Sequence, residues 1–392
     1  MSSVPPSRIR RLTSAMATQD LDAMVVFKPQ NSFYMSGFNP IIYSHPVVAV
    51  LCRDGESALL VHALRDDHAR AASFVDDIRL YGAWSSKVTM GPSWKSALAT
   101  ILEEKGVAKG RIGLDMDFLS VARFRELEEV LPDARLADAS EAIMQCRYVK
   151  DPDEIENARA AARMADIGMD AAIAELRRGG NEREIASAAM AAMNRAWTDD
   201  HPDKEVADFG NLEHGVQNGL FAWVLSGERM FLNSDNPTVR VPRRGETASL
   251  FIWSVLDGIH IENERTVMIG DVAPEKKQAL EAILDIRAEV FARIRPGTPI
   301  SDLFDCSKAG LEARGYGKYI PGRIGHSMGL GAHELPSIDA ATQVPLQPGM
   351  LLAIEPNIRI PGEVATQISD TVLVTETGME QLTRSEGGLL RV

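Results

Sequence analysis

KDPDEIENARAAARMADIGMDAAIAELRRGG, residues 150–180, is where the chain changes character. Alanines and other apolar residues recur there at helical spacing, and Asp151 stands where a cap would. Asp153 and Glu154 place negative charge at the positive end of the helix, and Gly179–Gly180 stop it. Toward the N-terminus the texture is different. LDAMVVF (21–27), PVVAVLC (46–52) and SALLVH (57–62) are short apolar runs separated by turn residues, which read as buried strands. Ser93–Glu104 reads as a helix stopping before Gly106, RIGLDM (111–116) as a strand, and Val121–Leu131 as a helix ending before Pro132. Toward the C-terminus a helix over Glu182–Trp197 is followed by strands in TASLFIWSVLDG (247–258), IENERTVMIGD (261–271), MLLAIEPNIRI (350–360) and QISDTVLVTE (367–376), with a helix over Pro274–Ile294 among them. The class is α/β (α+β) in two domains, 1–142 and 146–392.

Length and composition agree with that division. A chain of 392 residues exceeds one ordinary core, and 45% hydrophobic with 25% charged residues is a globular balance. No apolar run is long enough to cross a bilayer, and the N-terminal stretch carries charge where an export signal needs apolar residues, so a soluble, cytoplasmic protein is expected. Cys52, Cys146 and Cys306 are odd in number and far apart, which speaks against disulfides or a thiolate metal site. The net charge of −13 disfavours a nucleic-acid partner.

Polar residues gather in four segments of the second half. In HIENERTVMIG (260–270), Glu262 and Glu264 are two apart and project from one face of a strand, with Arg265 on the other. Two carboxylates that close call for a cation or a shared proton. GRIGHSMGLGAHELPS (322–337) surrounds His326 with glycines and places His333 seven residues later. AIEPN (353–357) ends an apolar strand on Glu355, which must be paired, protonated or liganded there. ATQISDTVLVTE (365–376) puts Asp370 at the entry to another strand, where such a residue is usually a turn or cap.

The order and spacing of these segments resemble the creatinase, prolidase and aminopeptidase P superfamily. The resemblance spans almost the whole chain. LDAMVVFKPQNSFYMSGF (21–38) is similar to the entry of its N-terminal creatinase-like α/β domain, and RYVKDPDEIENARAAARMAD (147–166) to the helix opening its pita-bread catalytic domain. In the family's metallopeptidases two Asp, one His and two Glu hold two metals. Here those positions fall on Phe251, Glu262, His326, Glu355 and Ser369, so two of five ligands are missing.

On this count the resemblance implies the metal-free, creatinase-like branch, with no metal or other cofactor. The expected activity is metal-independent hydrolysis of a non-peptide carbon–nitrogen bond in a small zwitterionic compound: an amidine, ureido, lactam or cyclic amidine. His326, Asp235 (in NSDNP, 233–237, where creatinase has a His) and His333 are the expected proton-transfer and donor groups. Glu264, Glu355 and Glu262 are expected to bind substrate. A homodimer is implied, in which Tyr43 and His45 of SGFNPIIYSHPVV (36–48) reach a neighbour's site, where His45 supplies a cation for the substrate's acidic tail. Two alternatives stand beside this reading. One is a metal-dependent Xaa-Pro peptidase with a reduced site on Glu262, His326 and Glu355; the other is a non-catalytic binding protein on the same fold.

Overall fold

The computed structural model describes residues 5–210 and 215–392. By backbone contacts the chain forms two compact units, one of Met1–Arg147 with Asp208–Gln217, the other of Tyr148–Ala207 with Asn218–Val392.

In the first unit the described helices are α1 (Pro6–Thr18), α2 (Pro29–Ser36), α3 (Asp66–Ala72), α4 (Trp94–Glu104), α5 (Val121–Val130) and α6 (Ser140–Cys146). The strands are β1 (Ala23–Val26), β2 (Val48–Cys52), β3 (Ser57–His62), β4 (Ile78–Tyr81), β5 (Arg111–Leu114) and β6 (Arg135–Asp138), ordered β4-β3-β2-β1-β5-β6. The central strands, AMVV and VAVLC, are buried throughout, so both sheet faces are covered and apolar runs are required rather than alternation. Asp115, buried just after β5, accepts hydrogen bonds from the backbone N–H of Phe27 and Lys28 and from Asn31 Nδ2, a negative charge at the N-terminus of α2.

In the second unit α7 (Pro152–Arg178) is the helix read from residues 150–180. Asp151 and Glu154 form a reciprocal capping box, and Gly179 ends it at φ 87°. Next come α8 (Glu182–Asp200), β7 (Phe221–Ser226), β8 (Thr247–Leu256), β9 (Ile259–Met268), α9 (Pro274–Phe291) and α10 (Ile300–Ala313). The remaining strands are β10 (Gly325–Ser327), β11 (Glu334–Ser337), β12 (Leu351–Ile354), β13 (Arg359–Ile360), β14 (Val364–Ala365), β15 (Ser369–Val374), β16 (Met379–Gln381) and β17 (Leu390–Arg391). The main sheet runs β11-β10-β12-β15-β9-β8-β7. Asp257 and Gly258, both at positive φ, make the two-residue turn that locks β8 to β9 in register. Among the described residues no helix is long and apolar enough to cross a membrane.

Asp370 corrects the sequence reading of a turn or cap. It is fully buried in β15, accepting from Arg265 Nη2 at 2.8 Å and Thr383 Oγ1 at 2.9 Å and ion-paired with Arg287. Arg265, on the side of β9 away from the two glutamates, also donates to the Ser369 and Ser385 carbonyls. A buried anion is tolerable here because two guanidiniums meet it.

Candidate active site

Strand register assembles the site. Trp223 pairs with Phe251, Phe251 with Glu264, and Glu264 with Ser369, so these four side chains form one row across β7, β8, β9 and β15. Phe221, Trp253 and Glu262 form the row beside it. The aromatic members stack, with Trp223 and Phe251 centroids 4.8 Å apart and nearly parallel. One end of the face is therefore an aromatic wall and the other is acidic.

His326 enters from β10 and Glu355 from the end of β12. His326 Nδ1 lies 3.1 Å from the Ser327 carbonyl, so in the neutral ring this nitrogen carries the proton and the Nε2 lone pair is free. Nε2 is 3.6 Å from Glu262 Oε2 and 3.7 Å from Glu355 Oε1. Both Nε2 and Glu262 Oε1 are buried without a hydrogen-bond partner. Gln367 Nε2 donates to Glu264 at 2.7 Å and to Glu355 at 3.4 Å. Glu262, Glu264, Glu355 and Gln367, with Trp223, Phe251 and Trp253, border a cavity of about 710 Å³, whose walls also include Asn233, Ser234, Arg323, Asn357 and Arg359.

The electrostatics follow from burial. Removal from water pushes the Glu264 carboxyl well above its ordinary range, and the charges of Glu262 and Glu355 push it further. Burial and Glu262 raise Glu355 to about 7. For His326 burial opposes the cation, yet Glu262 and Glu355 outweigh it and the net shift is upward. His333, its ring 4.3 Å from that of His326 and 5.3 Å from that of Trp253, is lowered to about 4 by burial and then by His326. It is a neutral donor at physiological pH.

The ligand atoms available on Glu262, His326 and His333 lie within 4.8 Å of one another, as do those on Glu262, Glu264 and Glu355. One cation fits this donor set of carboxylates and imidazole, as the two orphaned buried atoms indicate. Two do not, because Phe251 and Ser369, in the same row as Glu264, offer no carboxylate.

Not every expected residue is here. Asp235 is exposed, its carboxylate bound to Arg229 Nη2 at 3.1 Å and to the backbone N–H of Asn236; its neighbours Asn233 and Ser234 line the cavity instead. Tyr43 and His45 belong to the first unit and line a separate cavity there. Tyr43 is buried, which with nearby Asp208 keeps its phenol neutral, and His45 stacks on His62. Arg323 and Arg359 give the cavity cations of its own chain. Sequence reasoning missed those arginines, Gln367, Trp223 and Trp253. Only the tryptophans left a signal, the alternation Phe221/Trp223 and Phe251/Trp253 on adjacent strands.

Residues 156–376 match the model of metallopeptidase family M24, and residues 8–149 match the creatinase/prolidase N-terminal domain. The chain belongs to metallopeptidase family M24. It is a hydrolase with a creatinase-like N-terminal domain and an M24 pita-bread domain. A putative dipeptidase, YkvY, of Bacillus subtilis (strain 168) is 26% identical over 96% of this chain and 98% of its own length. The Xaa-Pro dipeptidase from Bacillus anthracis superposes with a TM-score of 0.82 at 21% identity, covering 98% of this M24 chain and 99% of that one. The prolidase from Pyrococcus horikoshii OT3 gives 0.79 at 22% identity, covering 97% and 98%.

These relatives overturn the expectation of a metal-independent, creatinase-like hydrolase of a non-peptide carbon–nitrogen bond. They are described as dipeptidases and a prolidase. The physical error was to equate a lost ligand pair with a lost metal site. Phe251 and Ser369 flank Glu264 in its row without offering a carboxylate, but His326 Nε2 still lies within 3.7 Å of both Glu262 and Glu355.

Proposed function

We propose that this M24 chain is a metal-dependent peptidase of the Xaa-Pro type with a reduced, one-metal site. The carrying observation is that His326 Nε2 lies 3.6 Å from Glu262 Oε2 and 3.7 Å from Glu355 Oε1, in a cluster where the ligand atoms of Glu262, His326 and His333, and those of Glu262, Glu264 and Glu355, lie within 4.8 Å of one another. Atoms bound at about 2.0–2.2 Å to one cation sit about 3–4 Å from each other. Direct hydrogen bonds would be shorter.

Glu262, His326 and Glu355 would hold the ion, which when bound supplies Lewis-acid polarisation of the scissile carbonyl. The chain's other residues do the rest. His333, neutral, donates an N–H to the oxygen that gains charge as the bond breaks. Glu264, fixed by Gln367, takes the substrate's ammonium group, and Arg323 with Arg359 takes its carboxylate. Trp223, Phe251 and Trp253 form an apolar wall against which the substrate packs, leaving the acidic end to the water that the hydrolysis adds across the broken C–N bond. A small zwitterionic dipeptide meets all of these groups. A homodimer remains our reading of the assembly.

The test is exhaustive chelation followed by metal analysis and assay on Ala-Pro. Hydrolysis should fall with metal content and return with one equivalent of Mn, Co, Zn or Fe. Undiminished Ala-Pro hydrolysis by metal-free protein would overturn the proposal.

A further inference from the structure

His333 reaches the cavity from the residue just before β11, at the end of the connection Met328-Gly329-Leu330-Gly331-Ala332 that follows β10. A connection with two glycines does not hold a side chain in place by itself, because glycine leaves the backbone its widest choice of conformations. The holding groups are on its other side. His333 is exposed to the cavity, whereas Glu334, the next residue, is buried, as successive residues of an extended chain face opposite ways.

Glu334 Oε1 accepts from the Gly331 backbone N–H at 2.8 Å, and Glu334 Oε2 lies 4.0 Å from Lys150 Nζ at the entry to α7. Both side chains are all but removed from solvent. Lys150 is itself fixed, its backbone N–H donating to the Gly349 carbonyl at 2.9 Å and its ammonium to the Tyr148 carbonyl at 3.3 Å. Gly329 passes against both charged ends: a Cβ there would sit 2.7 Å from Glu334 Oε2 and 3.1 Å from Lys150 Nζ. The Gly329 carbonyl is held in turn by His260 on β9, whose backbone N–H and Nδ1–H donate to it at 2.8 and 3.0 Å. Neither Lys150 nor Glu334 borders the cavity.

We infer that Lys150 and Glu334 are positioning residues for His333. The buried pair clamps the back of the glycine-bearing connection, and the imidazole on its front is thereby held at the cavity wall. Removing one partner leaves the other a buried, uncompensated charge, which the connection relieves by moving. The inference rests on the donor role given to His333 above.

A double-mutant cycle on Ala-Pro hydrolysis, with metal analysis, tests it. Glu334→Ala should lower kcat about 100-fold, the cost of a misplaced group, with KM and the single metal unchanged. In a His333→Ala background the same substitution should change kcat less than about threefold, because the group it positions is gone. Gly329→Ala, whose methyl pushes the same two charged ends aside, should reproduce the fall. Lys150→Met/Glu334→Gln, which removes both charges and keeps an acceptor for the Gly331 N–H, should return kcat to within about fivefold of the wild type. Equal falls in both backgrounds, a KM that rises as kcat falls, or wild-type kcat in folded Glu334→Ala would each overturn the inference. Wild-type kcat in His333→Ala would instead remove the donor role on which it rests. Position is also read without turnover, from the His333 ring signal in histidine-labelled NMR spectra, assigned by its loss in His333→Ala. It should shift or broaden in Glu334→Ala and return in Lys150→Met/Glu334→Gln, and an unchanged signal in Glu334→Ala would overturn the inference whatever the activity.

Discussion

Phe251 pairs directly with Glu264 across the β8–β9 ladder, and Glu264 pairs in turn with Ser369 on β15. An acid is thus flanked in its own row by a ring stacked on Trp223 and by a fully buried hydroxyl with no partner. If these two neighbours are what limits the site to one ion, restoring carboxylates should restore the second. Metal analysis after loading and gel filtration should find one ion per wild-type chain and two per Phe251→Asp/Ser369→Glu chain. A folded double variant that still holds one would show that the row is closed by its backbone geometry instead.

Glu182 is fully buried at the start of α8 and accepts five hydrogen bonds: from Ser226 N and Oγ, Arg229 Nε, and Thr238 N and Oγ1, all at 2.8–3.0 Å. One carboxylate thereby ties down both ends of the segment that carries Asn233 and Ser234 to the cavity. Glu182→Ala should cost about 3–5 kcal/mol in denaturant unfolding, as for a broken buried ion pair, and raise KM. A loss below about 1 kcal/mol, the scale of a surface pair, would show that the clamp carries little.

Glu182 also marks the limit of what the sequence reveals. Read alone, it is an ordinary acidic residue in the first turn of a helix, and only tertiary structure turns it into an anchor. Glu262 and Glu264 were legible because strand alternation is a local rule, and α7 because its capping box and terminal glycine are local too. Asp235 misled for the opposite reason. Its role was inferred from its place before Asn236–Pro237, where creatinase has a His, but in an irregular segment a shift of one or two residues decides which side chain faces the cavity, and Asn233 and Ser234 line it. Phe251 and Ser369 were placed correctly in the row, but their meaning depended on what the surviving donors do together. That is a matter of convergence in space.

Stability in acid should depend on Asp66, whose carboxylate meets Arg70 Nε at 2.6 Å and Lys87 Nζ at 2.7 Å. Burial alone would raise its pKa, but Lys87 and Arg70 outweigh it and hold it below the ordinary 3.8. A depressed carboxylate stabilises the fold above its unfolded pKa and loses that contribution as pH falls through the folded one. Denaturant unfolding of the wild type and Asp66→Asn should therefore differ most near neutrality and converge below pH 3.8. A difference that stays constant into acid would mean that charge is not what Asp66 contributes.

His333 and Asp235 should behave oppositely on substitution. The imidazole of His333 borders the cavity between His326 and Trp253, and its pKa near 4 keeps it an uncharged donor. A donor aimed at developing charge acts mainly in the transition state, so His333→Ala should lower kcat about 100- to 1,000-fold with little change in KM. Metal content separates this role from ligation: an unchanged single ion with low kcat supports the donor role, and a lost ion would make His333 a ligand. Asp235 is exposed and already bound to Arg229, so Asp235→Asn should leave both kcat and metal content near the wild type. A large fall in kcat for that variant would mean that residues 233–237 rearrange to bring Asp235 inward when substrate binds.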